Sequence, residues 1–222
     1  MLNLGKVDDT GPDDDCYTLF CSSSEGIQSR ACGTDHIRLF NVNESESLGP
    51  YMARYLGAKF YRGEEYYLQI DSHSEFVHGW DDKLIKMVVD APSDKAIISA
   101  YPPDSTMNWR DTPGETMCDS GFASDPIEFH IIRLSATESP LTAPSIATYA
   151  PFVAAGFMFA PATMLRDVPF DPFLPWIFMG EEISMSARLW TAGYDIFTPT
   201  INVLNHYYVR RHYPKFWESV NR

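Results

Sequence analysis

The sequence is poor in basic residues, and this shortage excludes several kinds of partner. Its 17 Lys and Arg residues stand against 30 Asp and Glu residues, which gives a formal net charge of -13 at pH 7. Nucleic-acid affinity comes mainly from Lys and Arg side chains on phosphates, and anionic membranes attract basic segments for the same electrostatic reason. We therefore expect no nucleic-acid partner and no membrane partner.

Long apolar runs, a secretion signal and internal repeats are also missing. No run approaches the roughly 20 apolar residues that a membrane-spanning helix needs. The first residues lack the basic, apolar and small-residue regions of a secretion signal. The 222 residues, 45% of them hydrophobic, fit one globular domain with a sizeable core. We expect a soluble, cytoplasmic protein with a single domain over residues 1–222.

Cysteine is scarce, and its positions allow two interpretations. Cys16, Cys21 and Cys32 lie in a stretch rich in Gly, Ser and Asp, whereas Cys118 lies far from them. The spacings match no zinc pattern, while a disulfide within the N-terminal stretch is compatible with them. Because no secretion signal is visible, we expect reduced thiols.

The remaining residues alternate between apolar runs and polar breaks. Clusters of Pro, Gly, Asp, Ser and Thr predict loops at 8–15, 102–117 and 135–145. Runs rich in β-branched and aromatic residues predict strands at 37–42, 66–70, 96–101, 127–134, 153–159, 194–197 and 202–207. Apolar residues at helical spacing predict helices at 48–60, 81–89 and 182–190, the last with Ile183, Ala187 and Trp190 on its apolar face. This order predicts an α/β fold with a central mixed sheet flanked by helices.

The tripeptide Asp71-Ser72-His73 follows the predicted strand 66–70 directly. Ligands of α/β sheets bind beyond the carboxyl ends of strands, and residues two apart on an extended backbone point to the same side. A carboxylate with an imidazole suits Mn²⁺ or a similar divalent ion such as Mg²⁺. His206, at the end of another predicted strand, is the natural third ligand. Spacing alone favours the alternative that Asp71 caps a helix or turn and that both histidines are hydrogen-bonded surface or core residues.

Two further segments combine a glycine with residues suited to a ligand. Glu181 and Glu182 follow Gly180 at a predicted helix start, where the helix dipole favours carboxylates. Either they only stabilise the helix, or one points into a cleft as a catalytic group that binds a sugar hydroxyl or orients the acceptor. Ala155 and Gly156 lie among small residues that either relieve crowding in a strand or leave room for a sugar ring.

Aromatic and basic side chains add weaker candidates. Aromatic rings of the kind that stack on sugars occur at Tyr101, Trp80, Trp109, Trp176 and Trp190. Arginines that could contact phosphate oxygens occur at Arg54, Arg166, Arg210 and Arg211. Most of the rings are expected in the core, and no one of the arginines is favoured.

Several blocks of the chain together resemble a known family. They are 53-ARYLGAKFYRGEEYYLQIDSHSEFVHGWDDKLI-85, 101-YPPD-104, 152-FVAAGFMFAP-161, 169-PFDPFLPWIFMGEEISMSARLWTAGYDIFTPT-200 and 206-HYY-208. Their content and order resemble the Skp1-type hydroxyproline N-acetylglucosaminyltransferases. The Asp-Ser-His, Gly-Glu-Glu and late-His pattern is also similar to the polypeptide N-acetylgalactosaminyltransferases. The resemblance covers most of the chain from Ile37 onward.

This resemblance implies a GT-A fold and assigns roles to the residues singled out above. Asp71, Ser72 and His73 would bind the donor diphosphate, Asp71, His73 and His206 would hold Mn²⁺ or Mg²⁺, and Glu181 would lie near the sugar and acceptor. The implied reaction transfers N-acetylglucosamine from UDP-GlcNAc to a hydroxyl, such as hydroxyproline of an Skp1-like protein, with retention of configuration. No enzyme nucleophile is required in that mechanism, because the leaving diphosphate can accept the hydroxyl proton.

The sequence departs from the GT-A pattern at its beginning. GT-A transferases usually start with a strand, a turn and a helix that contact uridine, and the resemblance implies that this chain begins at the second strand of that unit. We therefore expect an N-terminally truncated domain, and the alternative to an active transferase is a catalytically inactive GT-A remnant that binds a peptide or a glycan.

Overall fold

The computed structural model describes residues 15–43, 46–124 and 130–209, which contain short helices and strands in alternation. In chain order the elements are α1 (Cys16–Ser22), α2 (Ser24–Ser29), α3 (Pro50–Ala58), β1 (Tyr66–Ile70), β2 (Ser74–Phe76), α4 (Trp80–Asp90), β3 (Ala96–Ser99), β4 (Met117–Phe122), β5 (Ile132–Ala136), β6 (Thr148–Tyr149), β7 (Phe157–Pro161), α5 (Met164–Asp167), α6 (Glu181–Thr191), β8 (Asp195–Thr198) and β9 (Leu204–His206).

A five-stranded mixed sheet forms the centre of the described chain. Its strand order is β1-β7-β3-β8-β6. β3 and β8 are parallel, whereas the other neighbouring pairs are antiparallel. β2 pairs with β9, and β4 pairs with β5, in two separate antiparallel ribbons. The predicted α/β architecture with a mixed sheet is confirmed.

Both faces of the sheet are covered, because successive strand residues point to opposite sides. Ile97, Met158 and Ile196 face one cluster, to which α3, α5 and α6 contribute apolar side chains. Ile98, Phe159 and Phe197 face the other, which contains Leu84 and Met87 of α4. The strand runs of consecutive apolar residues are explained by this double burial.

Helix α6 lies where the sequence predicted it, but a different face is buried. Met185 and Leu189 enter the core, whereas Ala187 and Trp190 are exposed. The predicted apolar face of Ile183, Ala187 and Trp190 is therefore wrong. Two apolar stripes at helical spacing exist on this helix, and only tertiary packing decides between them.

Strand 66–70 is confirmed in full, whereas one of the other strand predictions fails and the rest differ at their ends. Residues 37–42 form no strand. The predicted strand 153–159 begins only at Phe157, because residues 153–156 form a turn beside the site. Predicted strand 127–134 begins at Ile132 within the described residues, and residues 125–129 lie outside them. The segment 8–15 also lies outside, apart from Asp15, the N-cap of α1.

The expectation of four reduced thiols is wrong for one pair. Cys21 and Cys32 form a disulfide, while Cys16 and Cys118 are exposed free thiols. The expectation depends on the lack of a secretion signal. That lack carries no information about how the turn after α2 brings Cys32 next to Cys21. Among the described residues, no helix combines the length and the apolar character that crossing a membrane requires.

Candidate active site

The carboxyl end of β1 and the amino end of β7 meet at one edge of the sheet. β1 pairs antiparallel with β7, so Ile70 lies opposite Phe157. The Asp71 N–H donates to the Gly156 carbonyl at 3.1 Å. A Cβ atom on Gly156 would lie 3.2 Å from the Asp71 Oδ2 atom. Glycine at 156 therefore keeps open the space beside the carboxylate.

Strand pairing brings His206 to the same edge. Ser74 lies opposite His206 in the β2–β9 ribbon. The Tyr207 N–H donates to the His73 carbonyl at 2.9 Å, and the His206 N–H donates to the Pro103 carbonyl at 2.9 Å. The Tyr208 ring packs edge-on against the His206 ring, with centroids 4.4 Å apart. His206 is thus buried and held in place by backbone on both sides.

The structure brings Asp71 close to His206, with His73 nearby. The Asp71 Oδ2 atom is 3.7 Å from the His206 Nε2 atom, and the His73 and His206 ring centres are 6.1 Å apart. Two ligands that each bind one cation at about 2.1 Å can lie up to roughly 4 Å apart. The Asp71–His206 pair therefore fits a shared divalent ion.

His73, the third predicted ligand, does not complete a metal site with Asp71 and His206 in this structure. Within residues 15–43, 46–124 and 130–209, no three His, Cys, Asp or Glu side chains stand together in a group that could hold a metal ion. His73 and Ser72 are exposed on the turn between β1 and β2. The exposed His73 side chain would have to rotate to join Asp71 and His206. The Asp71 carboxylate and the His206 imidazole are suitable donors for Mn²⁺.

Glu181 belongs to a buried charge network that sequence reasoning missed. Arg54, on α3, donates to Glu181 Oε2 and, through its other terminal nitrogen, to Asp71 Oδ1 at 3.1 Å. Gly180, at φ 92°, precedes Glu181 and turns the chain into α6. The sequence identifies Arg54 only as one of four arginines that could contact phosphate oxygens. The available signal was its position in a helix adjoining the site, which does not reveal which carboxylates it meets.

Glu182 is bonded to the backbone of the 153–156 turn. Its Oε1 atom accepts from the Ala155 N–H at 2.8 Å, and its Oε2 atom accepts from the Tyr101 hydroxyl at 2.7 Å. The Ala155 carbonyl accepts from Gln69 Nε2 at 2.7 Å. A small pocket lies here, lined in part by Gln69, Ala155, Glu181 and Glu182. Glu182 therefore fixes the turn that borders Asp71.

Burial controls the protonation of both glutamates. It raises the pKa of Glu181 from 4.5 to about 7, against the opposing effect of Arg54. It also raises the pKa of Glu182, although the bonds from Ala155 and Tyr101 lower it in part. Burial likewise raises the pKa of Tyr101, so that its hydroxyl stays protonated and donates to Glu182.

The remaining candidates lie elsewhere or are not described. Arg166 is exposed and pairs with Asp167 at 3.3 Å. Arg210 and Arg211 lie outside the described residues. Trp109 is buried, whereas Trp176 and Trp190 are exposed. Of the four arginines considered, only Arg54 is shown at the site.

Comparison with solved structures identifies the fold of the chain. The structure resembles the crystal structure of GalNAc-T7 with UDP, GalNAc and Mn²⁺, with a TM-score of 0.56 over 87% of this chain and 36% of that chain. The sequences are 14% identical, so the likeness shows the fold alone. The chain has the GT-A fold of glycosyltransferases.

The sequence comparison identifies the family. The family described as glycosyltransferase (GlcNAc) matches residues 13–222, and this chain belongs to it. A Drosophila melanogaster protein provisionally named polypeptide N-acetylgalactosaminyltransferase 13 is 26% identical over 178 residues, covering 77% of this chain and 30% of that protein. The chain thus spans about a third of the length of these two relatives. The glycosyltransferase part of the resemblance stated above is confirmed.

The raised pKa of Glu181 predicts a pH dependence of stability. Between pH 4.5 and about 7 the folded chain binds more protons than the unfolded chain, so stability should fall as pH rises through this window. The full shift corresponds to at most about 3 kcal/mol. Urea unfolding at pH 5 and pH 8 should show a loss that Glu181→Gln reduces by about 1–3 kcal/mol. The exposed Glu138→Gln variant should match the parent; equal losses in all three proteins would contradict the prediction.

Proposed function

We propose that this chain is part of a divalent-cation-dependent transferase that moves N-acetylglucosamine from UDP-GlcNAc to a hydroxyl group. The observation that carries the proposal is the approach of Asp71 and His206, which lie far apart in sequence, to 3.7 Å. Membership of the glycosyltransferase (GlcNAc) family supports the reaction class and the donor sugar. The fold shared with GalNAc-T7, whose crystal structure holds UDP and Mn²⁺, supports a nucleotide-sugar donor and a metal.

In this proposal Asp71, His73 and His206 would hold Mn²⁺, or Mg²⁺ in its place. When bound, the cation supplies positive charge that neutralises the departing diphosphate. The chain itself carries a net charge of -13, which disfavours the approach of an anionic donor from a distance. Donor binding without the cation should therefore be weak. Ser72 and the backbone at Ala155 and Gly156 would border the donor.

The carboxylates around the site have protein partners, and this supports a mechanism without an enzyme nucleophile. Glu181 and Asp71 both accept from Arg54, and Glu182 accepts from Ala155 and Tyr101. We propose that the site positions the reactants and stabilises charge, and that the transfer retains the anomeric configuration. The hydroxyl proton would pass to the leaving diphosphate.

The acceptor is proposed from the resemblance of the sequence blocks. Hydroxyproline in an Skp1-like protein is the acceptor that the resemblance implies. A peptide containing hydroxyproline and the same peptide containing proline form a matched pair that differs by one hydroxyl. We expect transfer from UDP-GlcNAc to the first peptide alone, measured by mass spectrometry. Transfer to neither peptide, with UDP-GlcNAc hydrolysis intact, would exclude this acceptor and leave the donor half of the proposal standing.

Titration calorimetry of UDP with and without Mn²⁺ tests the donor site. We expect Mn²⁺ to raise UDP affinity by about tenfold or more, because the cation offsets the repulsion between the diphosphate and Asp71. Addition of EDTA should remove both the gain and the transfer activity. Turnover that is unchanged by EDTA would contradict the ligand assignment. Absence of UDP binding in both conditions would exclude the transferase for this chain and favour the alternative, an inactive remnant that binds a peptide or glycan.

A further inference from the structure

Arg54 contacts two carboxylates, those of Asp71 and Glu181. Neither the packing of α3 nor the proposed set of metal ligands requires these contacts. Its side chain is 13% exposed, and it projects from α3 toward the edge of the sheet that carries the site. One terminal nitrogen, Nη2, contacts Asp71 Oδ1 at 3.1 Å. The other, Nη1, contacts Glu181, whose side chain is 5% exposed. The guanidinium group therefore connects a buried carboxylate to a half-exposed one.

The buried end of this connection is fixed by the fold. Glu181 is the first residue of α6, which Met185 and Leu189 hold in the core. α3 is anchored by Tyr51, whose ring packs edge-on against Phe170 and whose hydroxyl accepts from the Asp171 N–H at 3.0 Å. Since both helices are held independently of Asp71, the guanidinium between them has a defined position and imposes it on the Asp71 carboxylate.

The two oxygens of Asp71 consequently have different surroundings. Oδ1 accepts from Arg54. Oδ2 lies on the other side, 3.7 Å from His206 Nε2 and beside Gly156. The contact from Arg54 to Oδ1 restrains rotation of the carboxylate and so favours the direction in which Oδ2 points. Oδ2, the oxygen that points toward His206, does not bond to Arg54 and is therefore the one available to a cation.

We propose that Arg54 is a positioning residue that orients Asp71 for cation binding, with Glu181 as its anchor. This inference rests on the proposed metal site. Outer partners of metal-ligating carboxylates commonly contribute to affinity because they fix the ligand's orientation. Glu181 beside Arg54 offsets part of the guanidinium charge, which weakens its repulsion of a cation. Orientation, rather than repulsion of the cation, should therefore decide the effect of its removal.

Two simpler roles for Arg54 predict different results. A salt bridge that only stabilises the fold would change unfolding but leave cation affinity unaltered. A guanidinium that competes with the cation for Asp71 would make binding tighter when it is removed. Lysine separates orientation from charge, because its single ammonium keeps a cation beside Glu181 but cannot span two carboxylates as the planar guanidinium does.

The test is Mn²⁺ binding by the full chain without nucleotide, measured from the electron paramagnetic resonance signal of free Mn²⁺. Arg54→Met should raise the Kd by about 10–100-fold. Arg54→Lys should raise it by at least about fivefold. Arg166→Met removes an exposed arginine that pairs with Asp167 and should leave the Kd unchanged. Thermal unfolding of each variant reports the structural contribution separately.

Each outcome decides the proposal. A Kd that is unchanged or lower in Arg54→Met overturns it and leaves the proposed transferase intact. If Arg54→Met does not fold, Arg54→Lys carries the test, and a Kd equal to that of the parent overturns the proposal. Failure of the parent chain itself to bind Mn²⁺ overturns the metal assignment of the proposed function and this inference with it.

Discussion

Replacing His73 by Ala is expected to abolish the effect of Mn²⁺ on UDP binding while leaving the fold intact. The His73 side chain is exposed, so its truncation removes no core packing. The backbone bond from the Tyr207 N–H to the His73 carbonyl is available to any residue at this position. Under the proposed ligand set this variant removes a ligand itself, so the fall in Mn²⁺ affinity should reach or exceed the roughly 10–100-fold typical of losing a ligand's outer partner.

The measurement is calorimetry of UDP at saturating and zero Mn²⁺, together with thermal unfolding. His78→Ala is the matched control, since His78 is an exposed histidine five residues further along the chain. The control should keep the full Mn²⁺ effect. If His73→Ala binds UDP with the parent's dependence on Mn²⁺, then His73 is not a ligand, and the cation, if any, uses Asp71 and His206 with other donors.

Local pattern was sufficient to predict the strand that carries the site. The run 66–70 is mostly apolar and leads directly into Asp71, and it forms β1 over the same residues. The position of the candidate site, beyond the carboxyl end of this strand, follows from the general rule for α/β sheets. His206 is predicted as a ligand from its place at the end of a predicted strand and from the family resemblance. The pairing of Ser74 with His206, which brings it to the site, is a long-range register that local pattern does not encode.

The features that the sequence did not predict depend on packing between distant elements. Arg54 and Glu181 lie on different helices, and nothing within either helix indicates their contact. Helical spacing alone predicts an apolar face of Ile183, Ala187 and Trp190 on α6, although Met185 and Leu189, which are the buried residues, have an equally helical spacing. The disulfide between Cys21 and Cys32 depends on the turn after α2. In each case several local solutions exist, and the folded chain selects one.

The glutamate pair shows how tertiary contacts separate two roles that sequence left open. A position at a helix start explains both residues through the helix dipole. The structure instead gives Glu181 an arginine and Glu182 a tyrosine hydroxyl and a backbone N–H. We therefore propose that Glu182 acts through the 153–156 turn and that its hydrogen-bonding capacity, rather than its charge, is what the site requires.

Glu182→Ala is expected to destabilise the chain by about 2–6 kcal/mol, since two donors in a largely buried setting lose their acceptor at roughly 1–3 kcal/mol each. The Ala155 N–H would be left beside the site, and the turn next to Asp71 would lose its support. Glu182→Gln should cost less than about 1 kcal/mol. Its amide oxygen can accept from Ala155, and its amide nitrogen can donate to the Tyr101 oxygen.

Chemical denaturation and the rate of UDP-GlcNAc turnover, measured on the same variants, distinguish support of the turn from acid–base chemistry. Under the positioning role, Glu182→Gln keeps turnover within about tenfold of the parent, whereas Glu182→Ala loses both stability and turnover. A group that transfers a proton in the reaction contributes about 10²–10⁴-fold, and an amide cannot replace it. A stably folded Glu182→Gln variant with turnover reduced to that extent would show that the Glu182 carboxylate takes part in the chemistry, because the hydrogen bonds to Ala155 and Tyr101 would still be in place.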